Sequence, residues 1–352
     1  MTEEEFFQPL KLGEQELLPG DRETIQLPIG HLITHEMIQL TVHVRRGMTP
    51  GPRLLVTAAL HGDEINGVEV VRRLLRTRMN KLAGDLLLIP ITNMPAFLSR
   101  SRYLPDRRDL NRLFPGSKTG SFGARLANVI TEEVARSCTH GIDLHCGAVY
   151  RPNLPQIRYT GQVSQAFDMA NAFGTPVMID SSIRDGTLRY VFSKQKKPQI
   201  VYESGEAQIL DPASVRLGIT GVLSVMRHLK MLPMPRKTTP RPDPVVCRRT
   251  WWQRAPRGGL FLPSVDLGAI VTKGKILGKI GDPFSIKKTN VRSERDGVII
   301  GRASNAVIDE GDGLFHIGLT DSPDVVQDNI EAAEAEMDHA IDHPVFDDPM
   351  TD

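Results

Sequence analysis

Two apolar runs constrain this chain more than any other feature. Leu54-Leu-Val-Thr-Ala-Ala59 and Leu86-Leu-Leu-Ile-Pro90 show no polar alternation, so a strand built from either must be covered on both faces. Between them Val68, Val71, Leu74 and Leu75 give one apolar helix face. Strand, helix and strand in that order predict a parallel, helix-covered sheet. Ligands of such sheets bind beyond the carboxyl ends of the strands. The first run leads into Ala58-Ala-Leu-His-Gly-Asp-Glu64, which puts His61 and Glu64 at that place. An H-x-x-E there can aim an imidazole and a carboxylate at one point, half of a zinc site.

Before the first run, Ile38-Gln-Leu-Thr-Val-His-Val44 alternates with period two and predicts a half-exposed, antiparallel strand entering the sheet. His31, His35 and His43 lie in this region and read as surface or partly buried residues. After the second run, Arg100-Ser-Arg-Tyr-Leu-Pro-Asp-Arg-Arg-Asp-Leu-Asn-Arg-Leu-Phe-Pro-Gly116 is dense in arginine. Its prolines pin the loop and Leu110, Leu113 and Phe114 anchor it. An anchored arginine cluster is suited to holding a carboxylate by paired hydrogen bonds.

Leu126, Val129, Ile130 and Val134 mark an amphipathic helix that leads to a further buried strand ending at Asp143-Leu-His-Cys-Gly147. His145 thus stands at a strand end, as His61 does, with Asp143 two residues back on the same strand face and able to orient it. Cys146 points to the opposite face and reads as a small buried residue. The strand Gln199-Ile-Val-Tyr202 ends in Glu203-Ser-Gly-Glu206, where Glu203 is either a turn carboxylate or a general base. Helices are predicted near 163–173 and from Asp211-Pro212 to about Lys230.

The prolines at 233, 235, 240, 242 and 244 mark a semi-rigid linker. Beyond it, short glycine-punctuated strands predict a small barrel or sandwich. The organisation expected is a catalytic α/β domain over 1–232, a linker over 233–249, a β-barrel domain over 250–320 and an acidic tail over 321–352 with a short helix at Glu331–Ile341. Lys plus Arg total 43 against 42 for Asp plus Glu, which argues for neither a nucleic-acid nor a membrane partner. No apolar run reaches the ~18 residues of a membrane span. Cys138, Cys146 and Cys247 are too few and scattered for a disulfide framework, so a cytoplasmic protein with reduced thiols is expected.

With His61-x-x-Glu64, Asp109-Leu-Asn-Arg112, Asp143-x-His145 and Glu203-x-Gly205 in that order, the chain resembles the succinylglutamate desuccinylase/aspartoacylase family, a relative of the zinc carboxypeptidases. The resemblance spans roughly 20–320. It implies an α/β fold with a mixed, mostly parallel sheet flanked by helices and a small C-terminal β-barrel domain. It further implies one zinc held by His61, Glu64 and His145, with Glu203 as catalytic glutamate and Asn111 and Arg112 gripping the substrate carboxylate. Arg102 or Arg108 matches the arginine that polarises the scissile carbonyl, and Arg189 resembles a second substrate-binding arginine. The barrel is similar to biotinyl and lipoyl carriers, but its turn Gly281-Asp-Pro-Phe-Ser285 has no lysine to modify.

The activity implied is hydrolysis of the amide of a small N-acyl amino acid, in a possible homo-oligomer. Alternatives are a zinc carboxypeptidase acting on short peptides and a catalytically silent zinc-containing binding protein. Against the last, three protein ligands leave an open position, whereas structural zinc sites have four.

Overall fold

The structure, a computed structural model, describes residues 2–31, 33–79, 81–235 and 243–320. The acidic tail with its expected helix, and residues 236–242 of the expected linker, lie outside these. Four parallel strands form the centre of the main sheet, in the order Ala83–Ile89, Thr49–Ala58, His140–Gly147 and Gln199–Glu206. Antiparallel strands extend it on both sides. Met37–Arg46 and then Arg22–His31 lie beyond the first, and Asn153–Tyr159 lies beyond the last. The sheet is therefore mixed, with the antiparallel entry that the alternation at 38–44 predicts.

The apolar runs explain its two-sided burial. Leu54, Val56, Leu86, Leu88, Ile142 and Leu144 face one core together with residues of the helices Asn66–Leu74, Ala166–Phe173 and Pro212–His228. Leu55, Leu87 and Ile89 face a second core with Phe122–Val129 and Leu188–Lys194. Each such side chain contributes about 1.5–3 kcal/mol when fully buried, so exposing either face would be prohibitive. Asp211 caps the long helix by accepting from the amides of Ala213 and Ser214, and Pro212 occupies its first turn. Among the described residues no helix is long and apolar enough to cross a membrane.

The C-terminal strands do not close on themselves. Arg249–Arg254, Ile270–Val271, Gly297–Arg302 and Gly313–Leu319 continue the main sheet, which they join where Gly301 pairs with Asn153. Gly259–Pro263, Ile276–Gly281, Lys288–Arg292 and Val307–Ile308 make a separate four-stranded sheet. Phe261, Leu277 and Ile280 of one share a core with Ile299, Phe315 and Ile317 of the other. The expected barrel is thus two packed sheets, because alternation in short strands specifies a buried face but not whether the edges meet. Val245–Cys247, within the proline-rich stretch, pairs parallel with Val177–Asp180 of the main sheet.

Candidate active site

His61, Glu64 and His145 converge at the carboxyl ends of the central strands. The chain leaves Thr49–Ala58 through a turn in which Gly62 has no alternative. A Cβ there would lie 2.0 Å from the backbone of Ala96. That close passage swings His61 back over the sheet and delivers Glu64 just before the helix Asn66–Leu74. All three residues are buried, and their ligand atoms lie within 4.8 Å of one another. His61 Nδ1 is 2.7 Å from Glu64 Oε1, and His145 Nδ1 is 2.7 Å from Glu64 Oε2.

The outer nitrogens also face carboxylates. His145 Nε2 lies 2.8 Å from Asp143 Oδ2, and His61 Nε2 lies 3.2 Å from Asp109 Oδ1. Asp143 is itself steadied by the Thr57 hydroxyl, which donates at 2.7 Å. A neutral imidazole has one N–H to give. Each ring is nevertheless flanked by carboxylate oxygens on both nitrogens, so one lone pair of each neutral ring points at an anion. A cation between the two Nδ1 atoms and Glu64 removes that conflict, and leaves each Nε2–H donating to a carboxylate, the usual support of a metal-bound histidine.

The charges agree. Arg102 faces Glu64 and Asp109 while Asp143 backs His145, so three carboxylates crowd the two imidazoles with one guanidinium among them, a surplus of carboxylate that suits a cation. Arg102 Nη1 is drawn between His61 Nδ1, at 3.1 Å, and Glu64 Oε1, at 3.4 Å, while Nη2 donates to Asp109 at 3.1 Å. Burial opposes ionisation of Glu64, but the two imidazoles outweigh it and hold the carboxyl far below the usual range. Burial likewise disfavours charge on His145, yet Asp143 and Glu64 raise its pKa well above the ordinary imidazole value. The donor set of two imidazoles and a carboxylate suits zinc.

Glu203 is the direct neighbour of His145 across the two parallel strands. Asn153 Nδ2 donates to its Oε2 at 3.1 Å, and Arg158 Nε lies 3.3 Å from its Oε1. The two arginine alternatives separate clearly. Arg102 reaches the metal-ligand cluster, whereas Arg108 turns outward to Ser121, at 3.1 Å, and Asp106. Leu104, Leu110 and Phe114 anchor this loop in the core. Asn111 accepts from the Leu188 amide at 3.0 Å, and Arg112 is exposed. Arg189 is held by Tyr159 O, Ser181 Oγ and Ser182 O. Burial first, and then Arg158, lower its pKa to about 10.

Asp109, Asn153 and Arg158 are site residues that sequence reasoning did not single out. Asp109 stood inside a quoted motif, but nothing in its spacing told that it would back His61. Cys146 is buried, its thiol pushed well up by burial, and Cys138 and Cys247 are buried and unpaired.

Residues 50–229 match the succinylglutamate desuccinylase/aspartoacylase catalytic domain. Among characterised proteins, the chain is similar to an N-alpha-acetyl-L-2,4-diaminobutyric acid deacetylase of Halomonas elongata, 28% identical over 296 residues, covering 79% of this chain and 84% of that protein. A solved succinylglutamate desuccinylase/aspartoacylase from Rhodobacter sphaeroides superposes with a TM-score of 0.75 at 23% identity, covering 84% of this chain and 94% of that one. The product-bound ectoine utilization protein EutE of Ruegeria pomeroyi gives a TM-score of 0.76 at 23% identity, covering 89% and 99%. The two structural likenesses speak to the fold.

Proposed function

The chain belongs to the succinylglutamate desuccinylase/aspartoacylase family, and from that premise we propose that it is a zinc-dependent hydrolase of the amide bond of N-acyl amino acids. The observation that carries this reading is the pair of imidazoles flanked by carboxylates on both nitrogens around Glu64, beside a strand-end Glu203. When bound by His61, Glu64 and His145, zinc lowers the pKa of a water toward ~7 and polarises a carbonyl.

The chain's own groups do the rest. Glu203 takes the proton of the attacking water and returns it to the amine nitrogen as the C–N bond breaks, a role that contributes about 10²–10⁴-fold. Arg102, already within reach of Glu64 and Asp109, stabilises the negative oxygen that develops on the carbonyl; loss of one such donor costs ~3–4 kcal/mol. Arg108, pointing away, is left without that role. Asn111 and Arg112 orient the amino-acid carboxylate, and Arg189 contributes to substrate binding. The relative from Halomonas elongata, named for removing an N-acetyl group from a diamino acid, favours a small acyl group. Buried, unpaired cysteines suit a cytoplasmic enzyme.

The test is amine release by zinc-loaded protein from a panel of N-acetyl, N-succinyl and N-formyl amino acids, with short free peptides alongside. Turnover of an acyl amino acid is expected. The variant Glu203→Gln is expected to keep its zinc and lose at least 10²-fold in kcat, on the order of the general-base contribution. Turnover of peptides alone would move the protein to the carboxypeptidases, and silence across the panel would leave only binding.

A further inference from the structure

A β-bulge sits beside Glu203. Along the antiparallel pair, Glu203 faces Gln156, but Gly205 already faces Asn153, one residue beyond regular register. Bulges re-aim side chains and concentrate near active sites, and this one turns the Asn153 amide onto the side of Glu203. Nδ2 then donates to Oε2 at 3.1 Å. The other oxygen, Oε1, faces Arg158 Nε at 3.3 Å, and that nitrogen makes no hydrogen bond. One carboxylate oxygen is thus fixed by a directed hydrogen bond, while the other is drawn to Arg158 by charge.

What holds Asn153 comes from the C-terminal part of the chain. Gly301 pairs with Asn153 across the junction of the two regions. A Cβ at Gly301 would lie 2.9 Å from Asn153 Oδ1 and 3.2 Å from His316 Cβ, so any larger residue must displace the Asn153 amide. The neighbouring contacts are tight. Arg302 N donates to Pro152 O at 3.2 Å, Ser304 N donates to Tyr150 O at 3.0 Å, and Gln156 Nε2 donates to Ile300 O at 3.1 Å.

We propose that Asn153 is a positioning residue for the Glu203 carboxylate and that Gly301 of the C-terminal sheet keeps its amide in place. This rests on the reading of Glu203 as the proton-transferring group. A strand-end glutamate samples several rotamers, and a misplacement near 1 Å costs about 10²-fold in turnover. Fixing Oε2 selects the rotamer in which Oε1 lies beside Arg158. The C-terminal sheet accordingly acts on the chemistry through Asn153.

The experiment compares the full chain with Asn153→Ala, Gly301→Ala, Asn153→Asp and Glu203→Gln, all zinc-loaded, on the N-acetyl amino acid turned over fastest. Zinc content, melting temperature, kcat and KM are read separately. Asn153→Ala is expected to lose about 10- to 100-fold in kcat with KM, zinc and melting unchanged. Gly301→Ala should fall in the same direction by a smaller factor. Asn153→Asp keeps the size of the side chain but removes the donor, so its kcat should fall at least as far as that of Asn153→Ala with zinc unchanged, a split between kcat and KM that a purely structural role would not produce. Wild-type kcat in both Asn153→Ala and Gly301→Ala, with Glu203→Gln inactive, overturns the proposal and leaves the base intact. A rise in KM alone overturns it as well, by making Asn153 a substrate contact. Activity in Glu203→Gln removes the premise, and the proposal with it.

Discussion

Two buried charge clusters sit at opposite ends of the same parallel strands, and they are built on opposite principles. Near the amino ends, Asp85 is shared by Arg46 and Arg53, at 3.1 and 2.8 Å, with the carboxylate and the Arg46 side chain wholly buried. Its surplus positive charge is spread over carbonyls: Arg46 donates to Gln8, Leu17 and Phe6, and Arg53 to Ser137. Donors here meet acceptors that cannot titrate. At the carboxyl ends carboxylates predominate, and they bear on two imidazoles that each meet a carboxylate oxygen at both nitrogens. The first cluster locks the N-terminal segment onto the sheet; the second brings together three side chains that could hold a metal ion. A surplus dispersed over fixed dipoles makes structure, and one concentrated on titratable groups makes a site.

The sharpest way to separate the clusters is to remove a ligand. His145→Ala is expected to lower zinc content and abolish turnover, by more than about 10³-fold given what a bound metal supplies. Its melting temperature should change far less than its activity. Normal zinc by metal analysis would remove His145 from the ligand set. The reciprocal change, Asp85→Ala, leaves two buried guanidiniums without a carboxylate, which typically costs 3–5 kcal/mol. Urea unfolding should show that loss while kcat at low temperature stays near wild type. A variant with intact stability would show that the carbonyls alone suffice for Arg46 and Arg53.

A smaller effect probes the support behind the ligands. Asp143→Asn keeps the size of the group that faces His145 Nε2 and removes its charge, and such outer partners are worth about 10–100-fold in metal affinity. Competition with a chelator should find a zinc Kd raised by that factor, with the fold unchanged. Equal affinity would mean that Thr57 and Asp143 only fill space.

How much of this contrast was legible before the fold was known depended on periodicity. The runs at 54–59 and 86–90 announce two-sided burial, so the strand ends bearing His61 and Glu64 followed, and Asp143-x-His145 followed from the next apolar run. The arginine loop offered no such handle. Its guanidiniums are chemically alike and its backbone irregular, so Arg102 and Arg108 became distinguishable only when one was seen against Glu64 and the other against Ser121. The bulge that brings Asn153 to Glu203 is a property of pairing between strands 50 residues apart, and a single strand's sequence does not encode its partner's register. The same limit hid the pairing of Val245–Cys247 among prolines and the division of the C-terminal strands into two sheets.

Histidine environments carry the comparison to its finest scale. Where carboxylates flank it, His145 is pushed up; His316 is instead buried and stacked flat on Trp252 at 4.4 Å between ring centroids. Burial, and then the nearby Arg158, lower its pKa to about 3. A depressed folded pKa means that the neutral ring is favoured only in the native state, so the associated stability is full above the unfolded value near 6.5 and is lost as pH falls toward 3. At pH 5.5 an unfolded histidine is mostly protonated, and the loss from this one residue comes to about 1.4 kcal/mol. His140, lowered to about 4 by burial, adds a loss of the same sign. The measurement is therefore a difference of differences: urea unfolding of wild type and His316→Gln at pH 7 and pH 5.5. The variant should lose less stability on acidification by about that amount. Parallel losses in both proteins would show that His316 is protonated in the folded chain, and that Arg158 and the Trp252 stack do not exclude the charge.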